Sequence, residues 1–345
     1  MKTLKTLFRL SAFLAFLISW LSLAEHPSLA QTVEKGALDK TLNMIVGMPP
    51  GGSIDGYSRL VQHHLPHFLL GNPTIVVQNK PGAGSLLSVL AVENSRPTDG
   101  LAIGTFSSSL IPDAISDPAR FKIDFRHFRF IGNVGEDYRV CYVRSDTGIK
   151  SIKDLASQDQ VIFGATAAGT SGNLNVAILK EFLKVKIKQV LGYPGSAAKR
   201  LAFERGEIDG DCGGVDVIPE EWVTTNKIQM IVRFLSNLAP GVNKNVEFIG
   251  DALNNNDDRK VYDFMIMPSR MVGLFMVPDK TPPDKVEELR HGFDAMVADD
   301  TFRADAQKAR LPLAAIRGID VEREITGLYA TPPDLLQRAK VILKE

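Results

Sequence analysis

Six histidines and two cysteines are the side chains in this 345-residue chain best able to begin metal or covalent chemistry. His63, His64 and His67 form the one histidine cluster. A pair at i, i+4 can share a metal on one helix face, but no Glu stands between them as H-E-x-x-H requires. A solvated helix face is expected, and no metal site is assigned. His26, His127 and His291 are isolated and receive no role. Cys141 and Cys212 suit a single disulfide in an oxidising compartment; two separate buried thiols are the alternative. No G-x-S-x-G elbow occurs. GATAAGTS (Gly164–Ser171) has P-loop glycine spacing, but Thr170 stands where the phosphate-binding Lys is needed. GAGSLL (Gly82–Leu87) lacks the third glycine of a dinucleotide fingerprint, and there is no C-x-x-C. The sequence therefore points to no catalytic residue and no cofactor.

A different device recurs. Apolar strand-like runs pass into Gly/Ser/Thr corners that open helices: Gly51-Gly52-Ser53, Thr105-Phe106-Ser107-Ser108-Ser109, Ala168-Gly169-Thr170-Ser171-Gly172-Asn173 and Pro194-Gly195-Ser196. Free backbone N–H groups and hydroxyls at a helix N-terminus attract anions, helped by the helix dipole. Any one corner is explained by ordinary N-capping. Four of them, at the ends of strands in an α/β pattern, point to a ligand cleft. Asp55 is expected to brace its helix as a structural cap, because a carboxylate beside an anion repels it.

The elements that must hold these corners alternate. LNMIVGM, TIVVQ, LAIGTF, RVCYV, VIFGA, QVLGY, EIDGDCGG and KIQMIVRF read as strands, with helical patterns between them. That alternation predicts parallel α/β sheets. Pro66 is expected to kink or end the first helix. The segment from about Pro282 reads as helical, with Pro282-Pro283 and Pro332-Pro333 opening helices. FRFIGNVGEDYRV marks a candidate domain boundary near Gly132–Gly135.

Formal net charge is zero and no basic stripe occurs, so no nucleic-acid partner is expected. Lys2, Lys5 and Arg9 precede the apolar run SAFLAFLISWLSL, and Ala24 or Ala30 ends a small-x-small cleavage motif. Residues 1–30 thus read as a secretory signal. Its removal leaves 37 basic and 39 acidic side chains, net −2. A mature chain of about 315 residues exceeds one comfortable core, so two domains are expected.

IVGMPPGGSIDGYSRL, NPTIVVQNKPGAGS, TDGLAIGTF, GATAAGTSGN and GYPGSAAKRLAFERGEIDG, followed by a helical C-terminal third, resemble the tripartite tricarboxylate transporter receptor family, the Bug-type periplasmic solute-binding proteins. The match in order and spacing covers nearly the whole mature chain. The resemblance implies an α/β, two-lobed periplasmic-binding-protein-like fold of type II kind, with a ligand cleft between the lobes. One lobe would comprise 31–134 with about 240–345, the other 135–239. It further implies a periplasmic receptor that captures a small carboxylate-bearing molecule by lobe closure, without catalysis. The carboxylate-holding positions carry over to Pro50, Gly51, Gly52, Ser53, Thr105, Phe106 and Ser107 in the first lobe. In the second, the implied ligand-binding positions are Ala168, Thr170, Ser171, Asn173, Gly195 and Ser196, with Asp216 toward the distal end of the ligand. The chain departs from the family where a His often follows the second-lobe loop; Asn173 and Asn175 stand there instead. Tyr193-Pro194-Gly195 also replaces the usual Tyr-Lys-Gly, which removes a positive charge. The implied partners are the small organic carboxylate and a membrane permease or sensor kinase, for a monomeric receptor. An exported α/β hydrolase is the alternative from another class.

Overall fold

A computed structural model describes residues 38, 41–95, 101–166 and 170–342. The expected signal segment lies outside these residues. Leu42, Met44, Ile45 and Val46 of β1 (Thr41–Val46) are all buried, as a parallel strand covered on both faces requires. β1 lies between β2 (Thr74–Asn79) and β3 (Leu101–Thr105), parallel to both. The connections are α1 (Ser53–His64) and α2 (Leu86–Glu93). α1 buries Tyr57 and Val61, one helical turn apart. It ends before Pro66, where Leu65–Phe68 continues as a 3-10 turn, in keeping with the helix-ending effect of that proline.

After α3 (Leu110–Ser116) the chain forms β4 (Phe128–Gly135) and leaves the first sheet. It then builds a second one from β5 (Arg139–Arg144), β6 (Val161–Gly164), β7 (Ile187–Val190), β8 (Gly210–Gly214), β9 (Ile228–Arg233) and β10 (Glu247–Phe248). α4 (Ser171–Leu183) and α5 (Ser196–Glu204) connect its parallel strands. After α6 (Asn256–Arg270), β11 (Val272–Pro278) returns to the first sheet. α7 (Pro283–Ala298), α8 (Asp300–Lys308), β12 (Leu313–Arg317), α9 (Gly318–Tyr329) and α10 (Pro333–Ile342) follow. Each sheet has six strands, in the orders β12-β4-β11-β3-β1-β2 and β10-β9-β5-β8-β6-β7. The α/β class follows directly from this arrangement. β11 and β12 run antiparallel to β4, and β5 runs antiparallel to β8 and β9, so both sheets are mixed.

Two sequence expectations shift. QVLGY is displaced toward Ile187–Val190, because Ile187 is buried and pairs with Val161, whereas Leu191 is 49% exposed. FRFIGNVG is an interior strand of the first sheet, and the chain leaves that sheet directly after it, at Gly135. The tail is not wholly helical, because LAAIR pairs with β4 as a strand. Gly135 admits the close approach this needs: a Cβ there would lie 2.4 Å from the Tyr57 hydroxyl and 2.7 Å from the Pro312 carbonyl oxygen. The same hydroxyl donates to that carbonyl at 2.6 Å. Cys141 and Cys212 are register partners of β5 and β8 and are joined in a disulfide. Among the described residues, no helix is long and apolar enough to cross a membrane.

Candidate functional site

Behind Pro49 and Pro50, Gly51 takes φ +90°, which a side chain would resist. The turn delivers extended Gly52 and then Ser53, the first residue of α1. Asp55 is buried beneath this corner and organises it. Its carboxylate accepts from the Gly51 N–H at 3.0 Å, Arg59 Nε at 2.9 Å, Arg59 Nη2 at 3.2 Å and Asn79 Nδ2 at 2.8 Å. Burial raises the Asp55 pKa, but the bonds from Arg59, Asn79 and Gly51 outweigh it and leave the carboxyl below its ordinary range. The Gly51 N–H is therefore turned inward onto Asp55. The part of the corner that opens outward begins at Ser53 and Ile54, both of which line a cavity.

The corner after β3 divides in the same way. Thr105 is fully buried, and its carbonyl accepts from the Gly47 N–H at 2.8 Å. Phe106 is core, stacked on Phe125 with centroids 5.1 Å apart. Ser107, Ser108 and Ser109 line the cavity. Ser107 and Ser109 share a hydroxyl contact of 2.8 Å, and the Ser108 hydroxyl donates to the Pro268 carbonyl at 2.9 Å. Beneath them lies Ser85, buried and at φ +79°. Its Oγ accepts from the Ser107 N–H at 3.0 Å and donates to the Gly47 carbonyl at 3.1 Å. PGAGS thus locks two corners together, a positioning role that sequence reasoning did not assign to Ser85.

From the second sheet, Thr170, Ser171 and Asn173 reach the same cavity where α4 opens. Asn173 is buried, and its Nδ2 donates to Gln189 Oε1 at 2.8 Å. Asp216, just beyond β8, also lines the cavity. Pro50, Gly51, Gly52, Gly195 and Ser196 are not among its lining residues, and Ala168 lies outside the described residues.

The cavity measures about 960 Å³, at the upper end of the range for small-molecule sites. Between the hydroxyls its wall carries Ile54, Leu174, Val215, Met265, Val272 and Leu311. It also carries groups that the motif search did not select: Asp113, Glu136, Asp137, Tyr138, Gln307 and Arg310. The first strand-end signal for them was the Glu-Asp pair directly after FIGNVG, which was read only as a boundary. Glu136 is buried, and both its oxygens accept from Asn237 Nδ2 at 3.0 Å. Asp137 lies 3.3 Å from Arg139 Nε, and its side chain is 34% exposed. Burial against the cleft wall pushes the Asp137 carboxyl up; Arg139 opposes the shift and Asp216 adds to it.

The lining contains serines but no His or Cys. His63, His64 and Asp305 place ligand atoms within 4.8 Å of one another at the C-terminal end of α1. His63 and His67 are exposed, whereas His64 is buried with Nε2 3.1 Å from Asp305, so the solvated-face expectation fails for His64.

No family model and no curated protein matches the sequence. Solved structures do share the fold. A TctC solute-binding protein from Polaromonas has a TM-score of 0.68 at 19% identity, over 86% of this chain and 98% of that one. The periplasmic binding protein BugD has a TM-score of 0.55 at 19% identity, over 88% and 98%. An R. palustris protein solved with adipate has a TM-score of 0.56 at 18% identity, over 87% and 97%. The chain thus has the two-domain α/β architecture of periplasmic solute-binding proteins of the TctC/Bug kind.

Proposed function

We propose that this protein is an exported solute receptor of the tripartite tricarboxylate type, which captures a small carboxylate-bearing molecule and closes around it. The observation that carries this reading is the opposition of two helix N-termini. Ser53 opens α1 beside the first sheet, Ser171 opens α4 beside the second, and both line one cavity. The first N–H groups of a helix have no intrahelical acceptor. A carboxylate between Ser53 and Ser171 meets these donors, two hydroxyls and two positive dipole ends. On this reading residues up to 134 with the returning C-terminal segment are one lobe; residues 135–239, extended past the expected 240 to include β10 (Glu247–Phe248) of the second sheet, are the other. The chain crosses between sheets at Gly135–Arg139 and again between β10 and β11, which are the natural hinges.

Binding without chemistry is part of this reading, in keeping with the solute-binding proteins whose fold the chain shares. Release to a membrane permease in the periplasm completes the proposed cycle. Isothermal calorimetry with a panel of mono-, di- and tricarboxylates and aromatic acids tests it. One-to-one binding of at least one acid is expected; silence across the panel from a folded sample would sink the reading.

A further inference from the structure

We propose that the ligand carries a cationic nitrogen as well as a carboxylate, so that the cleft recognises an amino-acid-like zwitterion rather than a plain di- or tricarboxylate. The inference rests on the carboxylate reading for one end of the ligand and derives the other end from the acidic lining of the same cavity. Four carboxylates line the cavity, Asp113, Glu136, Asp137 and Asp216, against a single lining cation, Arg310. Arg139, behind the wall, offsets Asp137 from 3.3 Å. The partner of Glu136 is the neutral amide of Asn237. Among the described residues no basic side chain forms an ion pair with Glu136 or Asp216. A polyanion entering this space meets net negative charge, and like-charge juxtaposition in a desolvated site costs several kcal/mol.

Two of these acids, Asp137 and Asp216, stand close together. A Cβ placed on Gly214 would lie 2.4 Å from Asp216 Oδ1 and 3.8 Å from Asp137 Oδ1, so both oxygens flank the same point. An independent feature faces the same space. Met265, Pro268 and Ser269, in the last two turns of α6, line the cavity. The C-terminal end of that 15-residue helix carries the negative pole of its dipole, where the Pro268 carbonyl accepts from the Ser108 hydroxyl and the Ser269 carbonyl accepts from the Asp137 N–H at 2.8 Å. Its terminal Arg270 is drawn away to Glu324 at 3.0 Å. Tyr138 adds an aromatic ring to the same wall, a surface that favours a cation. The lining thus carries both kinds of group: helix N-termini at Ser53 and Ser171, and carboxylates with a helix C-terminus at Asp137, Asp216 and Ser269. Burial and the repulsion of Asp216 push the Asp137 carboxyl up, a strain that an incoming ammonium group relieves.

Calorimetry with three chain-length-matched series separates the two ends: α,ω-dicarboxylates, amino acids with α- or ω-nitrogen, and α,ω-diamines. The best amino acid is expected to bind at least about tenfold more tightly than the dicarboxylate of equal length. Asp137→Asn and Asp216→Asn, each checked by thermal melting for an intact fold, are expected to weaken that amino acid and not the dicarboxylate. A preference for dicarboxylates would overturn the cation inference and keep the carboxylate reading. A preference for diamines would keep the cation and sink the carboxylate. Silence in all three series would overturn both.

Discussion

Asp55 satisfies four donors drawn from three segments of chain, and it does so out of contact with solvent. Asp55→Ala leaves those donors without their acceptor and is expected to cost about 1–3 kcal/mol in urea unfolding. The sign with pH follows from the depressed folded pKa. The contribution of Asp55 is fully present above its ordinary value of 3.8 and is lost as pH falls through the lower folded value. The stability gap between wild type and Asp55→Asn should therefore narrow as unfolding is measured below about pH 4. Ser53→Ala and Ser171→Ala act differently: each is expected to weaken a bound carboxylate by about 1.5–3 kcal/mol, read by calorimetry, with little change in melting temperature. At this scale the residue types of the corners were legible, because only Gly, Ser and Thr allow close approach and donate. Which groups face the cavity was not. Phe106 is drawn inward by Phe125, a contact that depends on tertiary packing, and the Gly51 N–H is drawn onto Asp55 four residues on, whose carboxylate is held there by Asn79 of β2.

Among the elements, β5 and β8 are joined by the Cys141–Cys212 disulfide across 71 residues of sequence. Closing a loop of that length should stabilise the fold by about 4 kcal/mol on the chain-entropy account. Denaturant unfolding with and without a reductant measures it: reduction should lower the midpoint, and an unchanged midpoint would refute the estimate. Gly135→Ala tests the seam between β4, α1 and the chain before β12. Its added methyl meets a backbone carbonyl that cannot swing away, so a loss of about 1–3 kcal/mol is expected. The strand–helix alternation of both halves was readable because buried parallel strands are short continuous apolar runs. β12 escaped because LAAIR is equally compatible with a helix and is only partly buried. Its strand state is imposed by pairing with β4, a partner far away in sequence.

At the scale of the whole molecule, the cleft gathers residues from both sheets and from the returning C-terminal segment. Arg338 of α10 adds a second tie across the chain, bonding Glu181 of α4 at 2.6 Å and Asp258 of α6 at 2.5 Å. Lobe closure on a ligand predicts a smaller radius of gyration by solution X-ray scattering, and no change would contradict hinge motion. The cavity as a whole was less legible than its corners, because Asp113, Glu136, Asp137 and Arg310 carry no motif and meet only in three dimensions. The central claim is reversible capture of a carboxylate without chemistry. Native mass spectrometry after incubation with the acid panel tests it most directly. The account predicts a one-to-one adduct that dissociates under mild activation and releases the acid unchanged. Bare protein across the panel, or an adduct that survives denaturation as an acylated serine, would contradict it.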